Sequence, residues 1–597
     1  MEYSIYKDSS VEDTVVRIKS LLKDINLPIK DIVNTQNYKG LYVPYSTRVY
    51  CFGLYNYGTN GKGTSINNAL ASGYAEFMER LQNQMINILS LQNDKFQFAP
   101  DENIVKIKDI GYFEKYFDSY QTLYNCNLIA EMLHYKRVID TDEVLVLPFY
   151  GMKERDIVDI PIKILLCLQG SNGMCAGNTP EEALVQGLSE IYERYACREV
   201  ITKGIAMPDI PMKYIEKYEK IMGIKTSIEK SGYKISFKDA SLGKGLPVVC
   251  TILENINENK FTVQFASQPS LPIAVERTLT EFAQGGNCFT REQVIKTNYH
   301  NWEHYINNVL FSLVKRSHFL EYNEYWDKLF FNNTNIKYEF SPLIWCDSEK
   351  NYSNKELLDI LINKAYPICQ NDIYIRDNSF LGFPAYYIFI PEMSYISRKN
   401  FDYINKQLTF VKWANYIDDN DLTYKDINQL ILALDFKLYY DDKYCSSTSD
   451  MQVCDLSAEY LLMLCYIAQN SVDNVIKYAD IILKKHIGAD NRLIEMILLY
   501  FNMKKSNIGE SDIYIKLSKE YDSNEVMYLD KFIKNLNFKV IKQLIRVKHI
   551  KSFIREEKFN QVSDDNISHQ IQKVRSEMIK KYIQNPPEQL SLDKVLF

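Results

Sequence analysis

Residues 171–200 read SNGMCAGNTPEEALVQGLSEIYERYACREV, and the reading of this stretch decides the architecture. A glycine-bearing loop (Gly170, Gly173, Gly177) runs into a helix. Thr179 suits the N-cap, Pro180 the first helical position, and Glu182 completes a T-x-x-E capping box. Leu184, Leu188, Ile191 and Tyr195 recur at helical spacing and predict the buried stripe. At about 100° per residue, Gln186, Glu190 and Glu193 fall on a different face. Backbone N–H groups gathered at such a helix start form a natural anion site.

Two further stretches share this plan. NGKGTSINNALASGYAEFMERLQNQ, residues 60–84, places a glycine-rich turn (Gly58, Gly61, Gly63) before a helix with Glu76 and Glu79 three apart. It is not a P-loop, because Gly63 stands where Ser or Thr must ligate magnesium. AVERTLTEFAQGGN, residues 274–287, carries Glu281 and Gln284 at the same interval. Residues three apart share a helical face, so each pair can offer two oxygens to one ligand. If Glu76, Glu79, Glu190, Glu193 and Glu281 converge, their mutual repulsion calls for cations, and hard divalent ions such as Mg²⁺ take oxygen ligands and bridge carboxylates to phosphates. On spacing alone, solvated acidic faces of surface helices account for the same residues and are the more frequent explanation.

Working outward, Val144–Tyr150, Leu246–Leu253 and Phe383–Ile390 are rich in β-branched and aromatic residues and predict strands. Helical segments lie between them, which indicates an α/β or α+β domain over roughly the first 410 residues. Beyond about 420 strand signals nearly vanish. Tyr424–Phe436, Asp455–Asn470, Val472–His486, Asn491–Met503 and Ser511–Tyr521 all fit helical periodicity, as stacked helical hairpins do, without a clean copy of the tetratricopeptide consensus. The basic stretch Lys542–Arg555 reads as the solvated face of an amphipathic element in preference to an RNA contact.

Composition narrows the class. The chain has 597 residues, 46% of them hydrophobic, and 70 basic against 76 acidic side chains. That excludes wholesale disorder, and the net charge of −6 excludes a coat for nucleic acid or an anionic membrane. No apolar run approaches the ~18–20 residues that cross a bilayer, and the N-terminus has no secretory pattern. The twelve cysteines include no C-x-x-C, which predicts reduced thiols in a cytoplasmic protein. His300 and His304 lie four apart, but HNWEH is not a zinc motif and no third ligand is evident.

NGKGTS…ALASGYAEFMER, SNGMCAGNTPEEALVQGLSEIYER and ERTLTEFAQG together, with LGFPAYYIFIPEMS at residues 381–394, resemble the YcaO family, specifically its long bacterial members with a C-terminal helical extension. The resemblance implies an α+β architecture: a YcaO-type ATP-binding α/β domain over 1–415, then an all-α, tetratricopeptide-like domain over 416–597. It implies ATP and Mg²⁺, with Glu76, Glu79, Glu190, Glu193 and Glu281 as the metal ligands. Asn178, Glu182, Arg194, Gln284, Ser72 and Lys62 would line the nucleotide, Arg194 as the lone cation among the acids. Lys7 and Thr14 match a Lys and a hydroxyl residue at the start of these proteins and are candidates, with Gln284, for the chemistry itself. The chain departs from the family at Gly286, where an Arg is usual, at Cys175, where Ala or Ser is usual and a small filler is expected, and at its end, which lacks the proline-rich terminus of azoline-forming members.

YcaO enzymes use ATP to phosphorylate a peptide backbone amide after a nucleophile has added to it. The resemblance therefore implies an accessory factor in β-methylthiolation of a small-subunit ribosomal protein, alongside a radical-SAM methylthiotransferase. The other readings are a thioamide- or azoline-forming enzyme acting on a peptide, and a nucleotide-binding scaffold without turnover. The helical region is expected to mediate association, of two copies or with a partner, and direct nucleic-acid binding and membrane association are not expected.

Overall fold

The computed structural model describes residues 7–34, 45–93, 95–106, 143–282, 294–297, most of 302–369, 372–395, 458–485, 492–537, 540–541 and 565–597. Two compact units emerge. The first holds the described residues up to Tyr395 together with 565–597, and the second holds 458–541. Sheets fill the first unit and helices the second, so the chain is α+β.

The N-terminal layer of the first unit is an antiparallel sheet, β1 (Ile29–Asn34), β2 (Tyr45–Cys51) and β3 (Gly58–Gly63), covered by α1 (Val11–Asp24) and α2 (Ile66–Gln82). Ser10 and Ser65 cap the two helices, each accepting the N–H three residues on. The expected glycine-rich turn is instead the edge strand β3. Its glycines serve packing: a Cβ on Gly61 would fall 2.0 Å from the Ala69 carbonyl oxygen of α2. Thr47 and Thr59 hydroxyls tie the same contact by donating to the Ala69 and Gly73 carbonyls at 2.8 Å.

A second sheet runs β4 (Asn103–Lys106), β5 (Glu143–Gly151), β13 (Tyr374–Asp377), β14 (Ala385–Phe389), β7 (Met174–Ala176), with β6 (Asp156–Ile160) paired to β5. The third runs β11 (Val294–Ile295), β12 (Phe319–Glu321), β10 (Lys260–Ser267), β9 (Val248–Asn255), β8 (Tyr233–Asp239). The three strand predictions fall on β5, β9 and β14. Between the two larger sheets lies the long helix α4 (Pro180–Lys203), preceded by α3 (Ile162–Gln169). It packs on β7 and β14 from one sheet, β9 and β10 from the other, and α7 (Asn354–Ala365). The predicted stripe Leu184, Leu188, Ile191, Tyr195 is buried, but so is most of the remaining surface, Glu182 and Glu193 included. The acidic face of α4 is therefore not a solvated face. The glycine-bearing loop before α4 crosses β14 closely, since a Cβ on Gly173 would meet the Ile388 carbonyl oxygen at 2.3 Å. On the other side of the third sheet, α5 (Glu219–Glu229) and α6 (Leu271–Glu281) bury Ile221, Ile224, Val275 and Leu279.

In the second unit α8 (Ala458–Ala468), α9 (Val472–Lys485), α10 (Arg492–Lys505), α11 (Glu510–Leu517) and α12 (Ser523–Asn535) match four of the five expected helices and add one. Neighbours pack in sequence around Leu461, Leu464, Tyr478, Ile497, Tyr500 and Leu529. Tyr424–Phe436 and the basic stretch 542–555 lie outside the described residues, as do His300 and His304.

Residues 565–597 differ from the expected 416–597 helical domain by grouping with the first unit. The reason is packing: α13 (Asp565–Gln584) buries Ile571, Val574, Met578 and Tyr582 in the N-terminal layer, and α14 (Leu592–Leu596) buries Leu592 and Leu596 in the main core. Arg376 donates to Tyr582 Oη at 3.1 Å, and Lys355 donates to the Val595 and Leu596 carbonyls at 3.0 and 2.7 Å.

Candidate nucleotide and metal site

One face of α4 organises the site at one-turn intervals: Asn178 and Glu182, then Gln186, then Glu190, then Glu193 and Arg194. From Glu182 to Arg194, at 1.5 Å per residue, this face extends about 18 Å. Each interval is met by a different element.

At the N-terminal end, Thr179 caps α4 by accepting from Glu182 N at 3.2 Å, while the Glu182 carboxylate turns to the segment before α1. It accepts from Lys7 Nζ at 2.9 Å, from Asp8 N at 3.1 Å, and from Asn178 Nδ2 at 3.3 Å. Thr14 Oγ1 donates to Asn178 Oδ1 at 2.9 Å, and Arg17 donates to the Asn178 and Gly382 carbonyls at 3.0 and 2.8 Å. Lys7, Thr14, Asn178 and Glu182 thus form one connected group. Only the Lys7 amine, with half its side-chain surface exposed, reaches solvent freely.

One turn on, Gln186 Oε1 accepts from Arg277 Nη1 of α6 at 2.7 Å. One turn after Arg277, Glu281 forms an ion pair with Lys62 of β3; its side chain is 1% exposed. Gln284 and Gly286 lie outside the described residues. Ser72 is half-buried on α2, one turn before Glu76.

The densest charge lies where α2 and α4 come together. Residues 76–80 read E-F-M-E-R and residues 190–194 read E-I-Y-E-R, an E-x-x-E-R pattern on both helices. Arg80 contacts Glu79 at 3.0 Å and Glu76 at 3.6 Å, and Arg194 contacts Glu190 at 3.7 Å and Glu193 at 3.9 Å. The expectation of Arg194 as the lone cation among these acids is corrected: Arg80 is a second one. Glu79 is buried, and its carboxyl is pushed well above the usual range by burial, against the pull of Arg80 and with repulsion from Glu190 and Glu76 adding to it. Cys175 packs beneath, fully buried against Gly187, its thiol pushed well up by burial and by Glu79 and Glu190, which makes it the expected small filler and not a nucleophile.

This donor set fits a divalent cation in chemistry. Four carboxylates against two guanidiniums leave, with all four ionised, a deficit of two positive charges. In position it is not ready, because among the described residues no three His, Cys, Asp or Glu side chains stand close enough to hold a metal. The guanidiniums stand against the carboxylates instead.

Residues 60–394 match a family described as "YcaO cyclodehydratase, ATP-ad Mg2+-binding". The chain belongs to the YcaO family. Among YcaO relatives, an uncharacterized protein of Haemophilus influenzae is 28% identical over 409 residues, 65% of each chain. The ribosomal protein S12 methylthiotransferase accessory factor YcaO of Escherichia coli is 31% identical over 293 residues, 47% of this chain and 49% of that protein. Both alignments span less than two thirds of the relative. Among solved structures, a heterocyclase in complex with substrate and cofactor matches with a TM-score of 0.46 at 14% identity, over 66% of this chain and 55% of that one. YcaO from Methanopyrus kandleri bound with AMPPCP and Mg²⁺ matches at 0.40 and 14%, over 66% and 94%. No helix among the described residues is long and apolar enough to cross a membrane.

Proposed function

We propose that the face of α4, with α2 and α6, binds ATP and Mg²⁺, and that the chain phosphorylates a peptide backbone amide in the service of β-methylthiolation of a small-subunit ribosomal protein. The observation that carries the reading is that Glu190 of one E-x-x-E-R turn acts electrostatically on Glu79 and Arg80 of the other, inside a YcaO family chain. Similarity to the E. coli accessory factor supports the ribosomal substrate and a radical-SAM methylthiotransferase as partner.

In this reading Glu76, Glu79, Glu190, Glu193 and Glu281 hold Mg²⁺, and Asn178, Glu182, Arg194, Lys62, Ser72 and Gln284 line the nucleotide. When bound, ATP supplies the phosphoryl group that turns an amide oxygen into a leaving group, and Mg²⁺ neutralises its phosphates. The protein's own residues bind and orient. Arg194 offers a guanidinium fork to phosphate oxygens. Lys62 reaches the same region from β3 when it parts from Glu281. Lys7, positioned by Glu182, presents an ammonium at the open end of the α4 face, where the peptide would arrive, with Thr14 fixing Asn178 beside it. The second unit serves association: Ile515, Met527 and Tyr528 of α11 and α12 are 59%, 50% and 59% exposed, an apolar surface suited to a second copy or a partner.

The test is isothermal titration of wild type and Glu190→Ala with an ATP analogue in Mg²⁺. The variant is expected to bind about a hundredfold more weakly, the loss of one buried charge partner. Unchanged affinity removes Glu190 from the site.

A further inference from the structure

Arg80 has no part in the nucleotide site just proposed, yet it occupies that site's most crowded position. Its guanidinium spans Glu76 and Glu79 on its own helix, and Glu190 of α4 acts on it across the gap. The side chain is 22% exposed, with Nη1 4.0 Å from Met174 Sδ in β7. It is therefore wedged between a thioether and three carboxylates. Arg194 repeats the arrangement one helix away, at the same register of the same pattern. A divalent cation entering this cluster would perform the same electrostatic task with twice the charge, on the same oxygens.

We propose that Arg80 is a resident counter-ion that holds the Glu76–Glu79–Glu190 cluster together in the metal-free protein and must be displaced from Glu79 for a divalent cation to bind. Arg80 thereby sets the metal affinity of the site. It lowers that affinity by occupying the ligands, and it keeps the metal-free state folded by neutralising them. Glu79 is the pivot. Arg80 Nη1 stands 3.0 Å from its Oε1, which has no hydrogen-bond partner, so the departing guanidinium would strand a buried carboxylate unless a cation takes its place. The freed guanidinium has room to turn outward, since Arg80 is at the part-exposed edge of the cluster while Glu79 is buried.

The inference rests on the proposed metal and nucleotide site, and the experiment separates the two. Mn²⁺ binding without nucleotide is measured by electron paramagnetic resonance on the full chain, for wild type and for Arg80→Met, which keeps an unbranched stem and removes the charge. Thermal melting with and without Mn²⁺ gives a second readout that does not depend on activity. Arg80→Met is expected to bind Mn²⁺ about tenfold more tightly, because a unit charge beside the ligands is gone. It is also expected to melt lower than wild type without metal and to recover the difference as Mn²⁺ is added. Unchanged or weaker Mn²⁺ binding by Arg80→Met overturns the proposal. If Arg80→Met does not fold, Arg80→Lys, which keeps the charge but cannot fork across Glu76 and Glu79, is measured instead. An increase of about threefold supports displacement, and equal or lower affinity overturns it. Wild-type protein that binds neither Mn²⁺ nor the ATP analogue brings down the proposed function. Wild-type protein that binds both, with variants of unaltered metal affinity, brings down the role of Arg80 alone.

Discussion

Individual side chains here are governed by how each buried charge is compensated. Glu182, Glu281 and Glu79 are almost wholly buried, and each has a cation within reach, from Lys7, Lys62 and Arg80. Asp239 is the contrast. Fully buried at the end of β8, it has one oxygen accepting from Ser241 N at 2.8 Å and the other without a partner; the neighbouring Lys238 is paired to Asp209, and Tyr338 donates to the Asp239 carbonyl. Burial pushes its carboxyl up to about 6. An acid whose folded value is raised binds its proton more tightly when folded, so the associated stability is present at low pH and is lost as pH rises from about 4 through about 6. Asp239→Asn cannot titrate and keeps the acceptor for Ser241. Wild type should lose about 2–3 kcal/mol relative to this variant across that window in urea denaturation. A difference that does not change with pH would show that folding leaves the Asp239 carboxyl unshifted.

Among the elements, α4 was the most legible in sequence and also the most incompletely read. Its Thr179 cap, its proline start and its leucine stripe are local signals that the structure has, but the expected capping box is only half formed, because the Glu182 carboxylate is drawn to Lys7 and Asp8. That the opposite face is also buried is not local. It follows from a second sheet closing over the helix, which periodicity cannot report. The same limit hid β3, whose glycines read as a turn until the close approach of α2 gave them a packing reason. Gly61→Ala tests that reason: with a backbone oxygen 2.0 Å from the new methyl, the strand and helix must separate. The expected cost is about 3 kcal/mol by chemical denaturation, and a change below about 1 kcal/mol would mean the contact is easily relaxed. Arg80 was missed for a different reason. Spacing within one helix pairs the acids but does not relate one helix to another, and the signal for Arg80 is E-x-x-E-R at both 76–80 and 190–194.

The whole chain returns on itself. The sequence places the tail only within a general helical region, and periodicity cannot say which core the helix at Asp565–Gln584 joins. The structure answers through Tyr582, fully buried, tilted against Phe380 with ring centroids 4.9 Å apart and bonded to Arg376, itself paired to Asp101 at 2.8 Å. Tyr582→Ala should destabilise the first unit by about 3–5 kcal/mol in calorimetry, as large-to-small core changes do, and a shift within 1 kcal/mol would mean the tail only rests on the surface. The three glutamate-bearing helices belong to distant parts of this unit, α2 in the N-terminal layer, α4 between the sheets and α6 behind the third; α4 reaches α6 through Gln186 and Arg277, and Glu190 of α4 acts on Glu79 and Arg80 of α2.

The proposed site is tested most directly by an anomalous difference map from crystals grown with Mn²⁺ and a non-hydrolysable ATP analogue. We expect manganese between α2 and α4, coordinated by Glu79 and Glu190, with the phosphates along the α4 face and Arg80 no longer in contact with Glu79. Manganese and nucleotide bound elsewhere, with both E-x-x-E-R turns still closed on their own arginines, would contradict it.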